Sequence, residues 1–144
     1  MDDLIHNNVL IVSVLAWFLA QFSKAIVLVL REHRFQLRTM MSAGGMPSSH
    51  SALVTALTTR VGMEHGTGTT IFALSAVFAG VVLYDAAGVR RAVSMQARTL
   101  NRMIEELFEE QRFSERRLLE LLGHTPFEVF VGALLGIVTA LTYT

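Results

Sequence analysis

The longest apolar stretch of the sequence, residues 9–30, is interrupted only by Ser13, Gln21, Ser23 and Lys24. About 20 apolar residues suffice for a helix to cross the hydrocarbon core of a bilayer, so we predict a first transmembrane helix here. Three shorter apolar segments follow, at residues 47–61, 69–84 and 129–143. Tilt, re-entry or local thinning of the bilayer would accommodate the short segment at residues 47–61. The sequence therefore predicts an all-α fold, an integral membrane helical bundle of about four transmembrane or re-entrant segments.

Composition agrees with a membrane protein of one domain, residues 1–144. Hydrophobic residues make up 52% of the chain and the mean hydropathy is +0.48, which is high for a soluble domain of this size. The 12 basic and 12 acidic residues balance, so no overall positive field indicates binding to nucleic acid. Because the chain has no cysteine, it has no disulfide framework, thiolate metal site or cysteine nucleophile. Its acidic start lacks the basic region of a signal peptide, so we expect the first helix to be retained.

The arginines are distributed unevenly over the connections between the apolar segments. One of them, Arg60, lies at the far end of the second segment, beside the short connection to the third. The other ten follow the first or the third segment: Arg31, Arg34, Arg38, Arg90, Arg91, Arg98, Arg102, Arg112, Arg116 and Arg117. By the positive-inside rule this bias places both long connections in the cytoplasm. We expect an integral protein of the bacterial inner (plasma) membrane, with its chemistry facing the cytoplasm and both termini facing outward.

Residues 92–122 alternate charged and apolar side chains in a helical pattern. The apolar ones recur at steps of three and four residues: Val93, Ala97, Leu100, Ile104, Leu107 and Phe108. This spacing predicts an amphipathic helix, followed by a second short one at residues 114–122. We expect these cytoplasmic amphipathic helices to lie on the membrane surface or against a partner. On the opposite side, residues 62–68 have the composition of a turn and predict a short connection.

Residues 44–50, Gly-Gly-Met-Pro-Ser-Ser-His, lead from a polar turn into the second apolar segment. The glycines let the backbone approach a ligand closely, and Pro47 suits the first turn of a helix. Ser48 and Ser49 add hydroxyl groups beside the free amides of a helix start, which together form a cradle for phosphate. His50 can donate or accept a proton near neutral pH. The alternative interpretation is a capped helix start with an incidental histidine.

Lys24 lies in the last third of the first apolar segment. A charged side chain is unfavourable in hydrocarbon unless it reaches the headgroups or finds an anionic partner. Lys24 is therefore either a snorkelling lysine or part of a functional site.

The last apolar segment is preceded by Thr125-Pro126-Phe127-Glu128. Thr125 as the N-cap, Pro126 at the first helical position and Glu128 at the third form the pattern of a capping box. Glu128 is therefore a structural residue on this interpretation, and its side chain is committed to the helix start.

These residues together resemble the type 2 phosphatidic acid phosphatase and vanadium haloperoxidase superfamily, in particular its small, divergent bacterial branch. The matching elements stand in the same order: Lys24 and Arg31 with six residues between them, Pro47-Ser48-Ser49-His50, Arg90 or Arg91, and His124 with Glu128 four positions later. Three residues depart from the pattern: Glu32 stands for a proline, Ser49 for a glycine and Glu128 for an aspartate. The segment between Arg91 and His124 is also much longer than in the superfamily.

The resemblance implies a phosphatase that acts on a lipid phosphate or pyrophosphate without a metal or other cofactor. Lys24, Arg31 and one of Arg90 and Arg91 would neutralise the phosphate oxygens, aided by Ser48 and Ser49. Arginine suits this role because its planar fork binds two oxygens at once. Adjacent arginines on a helix point about 100° apart, so only one of the pair can enter the site fully. Asp85, six residues before Arg91, could orient that side chain.

The resemblance also implies roles for the two histidines. His124 would be the nucleophile that forms a phosphohistidine, with Glu128 holding its other ring nitrogen. His50 would protonate the leaving alkoxide. If Thr125 caps the helix through Glu128, the capping and the orienting roles of that carboxylate compete.

Two other functions remain open on the sequence. The altered spacing favours a non-catalytic membrane protein that keeps the fold as a lipid- or anion-binding or assembly factor. A transporter is the third, although four short segments give it little room. The chain has fewer helices than the superfamily core, so a homodimer or packing by the amphipathic helices would supply the missing contacts.

Overall fold

The computed structural model describes residues 6–32, 45–107 and 124–143, and every regular element in these ranges is helical. The elements are α1 (Asn8–Glu32), α2 (Ser49–His65), α3 (Thr70–Tyr84), a π-helical turn (Asp85–Val89), α4 (Arg90–Leu107) and α5 (Pro126–Thr142). The prediction of an all-α fold is confirmed.

The starts of α2, α3 and α5 are capped by hydroxyl side chains, those of Ser48, Thr69 and Thr125. Each accepts a hydrogen bond from a backbone amide of the first turn, which otherwise has no partner in the helix. Pro126 occupies the first turn of α5, as predicted. Pro47 does not take the equivalent place in α2, because the helix begins two residues later, at Ser49.

The turn predicted at residues 62–68 is shorter than expected. Helix α2 continues to His65 and ends at Gly66, whose φ of +84° is a conformation that favours glycine. Gly62 stays inside the helix, where a Cβ atom would come within 3.0 Å of the ring of Phe72 on α3. Its lack of a side chain therefore serves helix packing, and the turn is confined to residues 66–69.

The third apolar segment does not end at Asp85. The chain continues through the π-helical turn directly into α4, so the amphipathic helix begins at Arg90 and not at residue 92. One glycine in a helix is unfavourable by only about 1 kcal/mol, which is why Gly88 does not interrupt it. On α4 the apolar side chains of Val93 and Leu100 are exposed, as expected of a surface helix. The second predicted amphipathic helix, 114–122, lies outside the described residues.

Helix α2 is the centre of the bundle and packs against α1, α3 and α5, while α1 also packs against α5. Helices α2 and α5 run in the same direction, because Ser48 contacts Glu128 at one end and Arg60 donates to the carbonyl of Tyr143 at the other. Helices α1 and α3 run the opposite way. One end of the bundle therefore collects the starts of α2 and α5, the later part of α1 and the end of α3.

The interior consists of small side chains, and the large apolar side chains point outward. The buried cluster is Val12, Ala16, Ala20, Ala52, Ala56 and Ala140. By contrast, Phe22, Leu30 and Val77 are 66%, 70% and 69% exposed. Lipid covers such side chains without penalty, whereas small residues let helix backbones approach closely.

In the part of the chain that the structure describes, two helical stretches, Asn8–Val27 and Thr70–Val89, are long and apolar enough to cross a membrane. Pro126–Thr142 is apolar but shorter. Together with the outward-facing apolar surface, these stretches agree with the predicted membrane helical bundle.

Candidate functional site

The end of the bundle that collects the starts of α2 and α5 holds four of the predicted site residues within one region: Lys24, His50, His124 and Glu128. The first turn of a helix presents free N–H groups and the positive end of the helix dipole. Two helix starts beside a lysine give this end of the bundle an environment suited to an anion.

The two helix starts are joined through Ser48, which is fully buried. Its N–H donates to the carbonyl oxygen of Glu128 at 3.1 Å. Its hydroxyl oxygen accepts from the N–H of Ser51 at 3.4 Å and from the Ser51 hydroxyl at 2.8 Å. Ser48 thus acts as a helix cap and as a link to α5, which agrees with the capped-helix interpretation of residues 44–50.

Two glycines of α5 make this link possible. A Cβ atom at Gly132 would collide with the carbonyl oxygen of Ser48, and one at Gly136 would collide with Ala52 on the next turn of α2. Between them, the hydroxyl of Thr55 donates to the carbonyl of Ala133 at 3.0 Å. Gly132 and Gly136 did not enter the predicted site. Their spacing of four residues in an apolar helix is the sequence signal that predicts such close packing.

Lys24 is only 7% exposed and lies against the turn that precedes α2. A Cβ atom at Gly45 would come within 2.8 Å of its Cε atom, and Gly45 has a φ of +98°. The glycine that was expected to let the backbone approach a ligand therefore makes room for the lysine side chain. Lys24 is close enough to Glu128 and His124 for their charges to interact.

His124 immediately precedes the cap of α5 and is 2% exposed. Its Nδ1 atom lies 3.5 Å from Oε2 of Glu128 but makes no hydrogen bond to any described residue. Burial lowers the pKa of His124 below its usual value, and the charges of Lys24 and His50 lower it further, although the Glu128 carboxylate raises it. Because burial dominates, the imidazole is neutral at pH 7.

Glu128 also completes the predicted capping box. Its Oε2 atom accepts from the N–H of Thr125 at 2.8 Å, and the Thr125 hydroxyl accepts from the N–H of Glu128 at 3.3 Å. The oxygen that serves the cap is thus the same one that faces His124.

His50 and Ser49 open α2 with different environments. Ser49 is buried, whereas the side chain of His50 is exposed. An exposed imidazole beside a buried one can exchange protons with water, which the buried ring cannot do directly.

The predicted arginines stand in the sequence where the chain reaches the end of the bundle that holds His124. Arg31 is in the last turn of α1, and Arg90 and Arg91 open α4 directly after the π-helical turn, which packs against α5. Their side chains are outside what the structure describes. Asp85 is the first residue of the π-helical turn. Within residues 6–32, 45–107 and 124–143, no three His, Asp or Glu side chains come together as metal ligands.

Comparison with known proteins gives one family and one relative. The model of the divergent PAP2 family matches residues 5–139. An uncharacterized membrane protein of Bacillus subtilis (strain 168), YuiD, is 38% identical over 150 residues, which cover 96% of this chain and 95% of that protein. No solved structure is significantly similar to the chain.

Proposed function

Because this chain belongs to the divergent PAP2 family, we propose that it is a membrane-embedded phosphatase that hydrolyses a lipid phosphate or pyrophosphate through a phosphohistidine intermediate. We further propose that it resides in the bacterial inner membrane with its site facing the cytoplasm, since ten of its eleven arginines lie in the connections assigned to that side.

One observation carries the proposal: a buried histidine stands at a helix start, with a carboxylate 3.5 Å from its Nδ1 atom, and its burial lowers its pKa and favours the neutral ring. A neutral imidazole has a lone pair on one ring nitrogen, which makes it a nucleophile at neutral pH. A carboxylate at Nδ1 favours the tautomer in which that nitrogen carries the proton and Nε2 carries the lone pair.

In the first step, the Nε2 atom of His124 attacks the phosphorus atom, and the bond from phosphorus to the lipid oxygen breaks. His50 donates its proton to the departing oxygen, so that the lipid leaves as an alcohol, or as a monophosphate when the substrate is a pyrophosphate. In the second step, water attacks the phosphohistidine and gives its proton to His50. This step releases inorganic phosphate and restores both histidines.

The transferring phosphoryl group carries negative charge that must be neutralised throughout. The ammonium group of Lys24 and the starts of α2 and α5 supply fixed positive charge and dipoles without reorganisation during the reaction. On the proposal, Arg31 and one of Arg90 and Arg91 supply the remaining contacts, and Ser49 a hydroxyl group.

The first prediction concerns activity. The purified protein in detergent should release phosphate from a glycerolipid phosphate, a polyprenyl phosphate or a polyprenyl pyrophosphate. Changing His124→Ala should lower the rate by about 1,000-fold or more, because on this proposal His124 forms the covalent intermediate. The matched control is His65→Ala, since His65 is exposed at the opposite end of α2.

Vanadate separates a phosphatase from a non-catalytic anion-binding protein. It imitates the trigonal-bipyramidal transition state, so it should inhibit a phosphatase competitively. If vanadate or phosphate raises the unfolding temperature while no substrate is hydrolysed, the protein binds anions without catalysis and the phosphatase proposal is wrong.

A further inference from the structure

The cap of α5 holds the side chain of Glu128 at a defined position. The Thr125 N–H donates to Oε2 at 2.8 Å, and the Thr125 hydroxyl holds the Glu128 N–H at 3.3 Å. A glutamate has three side-chain torsions, and ordering such a side chain costs conformational entropy. The reciprocal pair of hydrogen bonds offsets this loss, so that the carboxylate keeps one orientation.

Without the cap, the Glu128 carboxylate could turn away from His124 and toward water. The side chain of Glu128 is 21% exposed, whereas that of His124 is 3% exposed. A carboxylate at the edge of a buried site gains hydration by turning toward water. The atom that faces Nδ1 at 3.5 Å is the one held by Thr125, so the cap and the contact with His124 depend on the same conformation.

We propose that Thr125 is a positioning residue for His124: by capping α5 it keeps the Glu128 carboxylate turned toward Nδ1. The catalytic consequence rests on the proposed function, but the positioning itself does not. On this proposal the capping and orienting roles of Glu128 do not compete, because a single oxygen serves both.

The titration of His124 reports on this arrangement. The charged or titratable groups that act on it are Lys24 from α1, His50 from α2 and Glu128 from α5. Lys24 and His50 lower its pKa, and Glu128 is the group that raises it. If the carboxylate turns away, the raising effect is lost, so the pKa of His124 must fall below its value in the unaltered protein.

Two substitutions remove the cap in steps, first one of its hydrogen bonds and then both. Thr125→Val keeps the shape and the N–H but lacks the hydroxyl oxygen. Thr125→Pro removes the N–H as well, and the φ of −70° at this position is one that proline adopts. Thr125→Ser keeps both hydrogen bonds. Thr69→Val is the matched control, because Thr69 caps α3 with the same distance of 3.3 Å and lies at the other end of the bundle.

The experiment is a pH titration of the whole protein, with isotope-labelled histidine, by NMR in detergent micelles. The signal of His124 among the five histidines is identified by its loss in His124→Gln. We expect the pKa of His124 to fall by about one unit in Thr125→Pro, because an opposite charge within about 4–6 Å shifts a pKa by one unit or more. The pKa should fall by less in Thr125→Val, which keeps the N–H that holds the carboxylate. Thr125→Ser and Thr69→Val should leave it unchanged.

A rise in the pKa of His124 in Thr125→Pro would overturn the proposal, because it would mean that the cap had held the carboxylate away from the ring. An unchanged value in both Thr125→Val and Thr125→Pro would overturn it as well. The titration needs no substrate, so its result is independent of whether the protein hydrolyses phosphate. If the protein is a phosphatase, kcat should fall about ten- to a hundredfold in Thr125→Pro, the range for a misplaced catalytic group.

Discussion

Burial, more than any neighbouring charge, determines the protonation of His124. The residue is 2% exposed, and removal of its ring from water disfavours the imidazolium form even though a carboxylate lies 3.5 Å away. A histidine kept neutral in this way is ready to act as a nucleophile. The same burial makes protonation of the residue unfavourable for the folded state.

At the residue scale we therefore predict a loss of stability in acid that depends on His124. Its folded-state pKa is lowered, so below about pH 6.5 the unfolded chain binds a proton that the folded protein does not. Stability from the neutral ring is fully present above that pH and declines as the pH falls toward the folded-state pKa. The decline is at most about 1.4 kcal/mol per pH unit for one proton.

The measurement compares the unfolding temperatures of the unaltered protein and His124→Gln between pH 8 and pH 5. The unaltered protein should lose stability more steeply in the acid range, because glutamine does not titrate. His50 is present in both proteins, so the two curves differ through the titration of His124 and its interaction with His50. Parallel curves would show that the pKa of His124 is not lowered in the folded state.

At the scale of elements, the contact between α2 and α5 sets the geometry of the candidate site. Gly132 lies against the backbone of Ser48, and Gly136 lies against Ala52 one turn further along. The link from Ser48 to Glu128 can form only because neither glycine carries a Cβ atom. The helix that bears His124 is thereby held at a fixed distance from the helix that bears His50.

We predict that Gly132→Ala destabilises the fold by about 1–3 kcal/mol, the usual range for overpacking, because the added methyl group meets backbone atoms that cannot turn aside. It should also reduce phosphatase activity more than stability alone explains, since it separates the two histidines. Gly80→Ala is the matched control: Gly80 is a helical glycine with no atom near its missing Cβ.

The control should be neutral or stabilise the protein by up to about 1 kcal/mol, as alanine is the better helix former. Thermal unfolding in detergent measures both variants. Equal unfolding temperatures for Gly132→Ala and Gly80→Ala would mean that α2 and α5 do not pack as closely as described.

At the scale of the whole molecule, all candidate site residues lie at one end of the bundle. At the opposite end, Arg60 pairs with Glu64 at 2.8 Å and donates to the carbonyl of Tyr143 at 3.1 Å, which links α2 to the end of α5. This separation gives the protein two chemically different faces. The proposed orientation makes the arginine-rich face cytoplasmic.

The orientation can be tested with single cysteines, since the chain has none of its own. Arg98→Cys on α4 should resist an impermeant thiol reagent in intact cells, and His65→Cys at the other end should react. Both positions are exposed, so protection cannot be due to burial. Ready labelling at position 98 together with protection at position 65 would reverse the proposed topology.

The sequence by itself determined the membrane bundle, the all-α class, the cap at Thr125 and the family, because each depends on properties read along the chain. Apolar length, helix-start chemistry and the order of short motifs need no knowledge of what lies across the bundle. They also identified Lys24, His50, His124 and Glu128 as candidates.

Only the tertiary structure decided how these residues are used. It shows that Lys24 fills the space beside Gly45 and that the N–H of Ser48 donates to the carbonyl of Glu128. It also shows that Gly132 lies at the contact between α2 and α5. It also shows that the capping role and the orienting role of Glu128 are compatible, because one oxygen accepts from Thr125 and faces His124. These are contacts between groups on different helices or around a single turn. The spacing of Gly132 and Gly136 indicates close packing, but which groups meet across it follows from how the helices pack against one another.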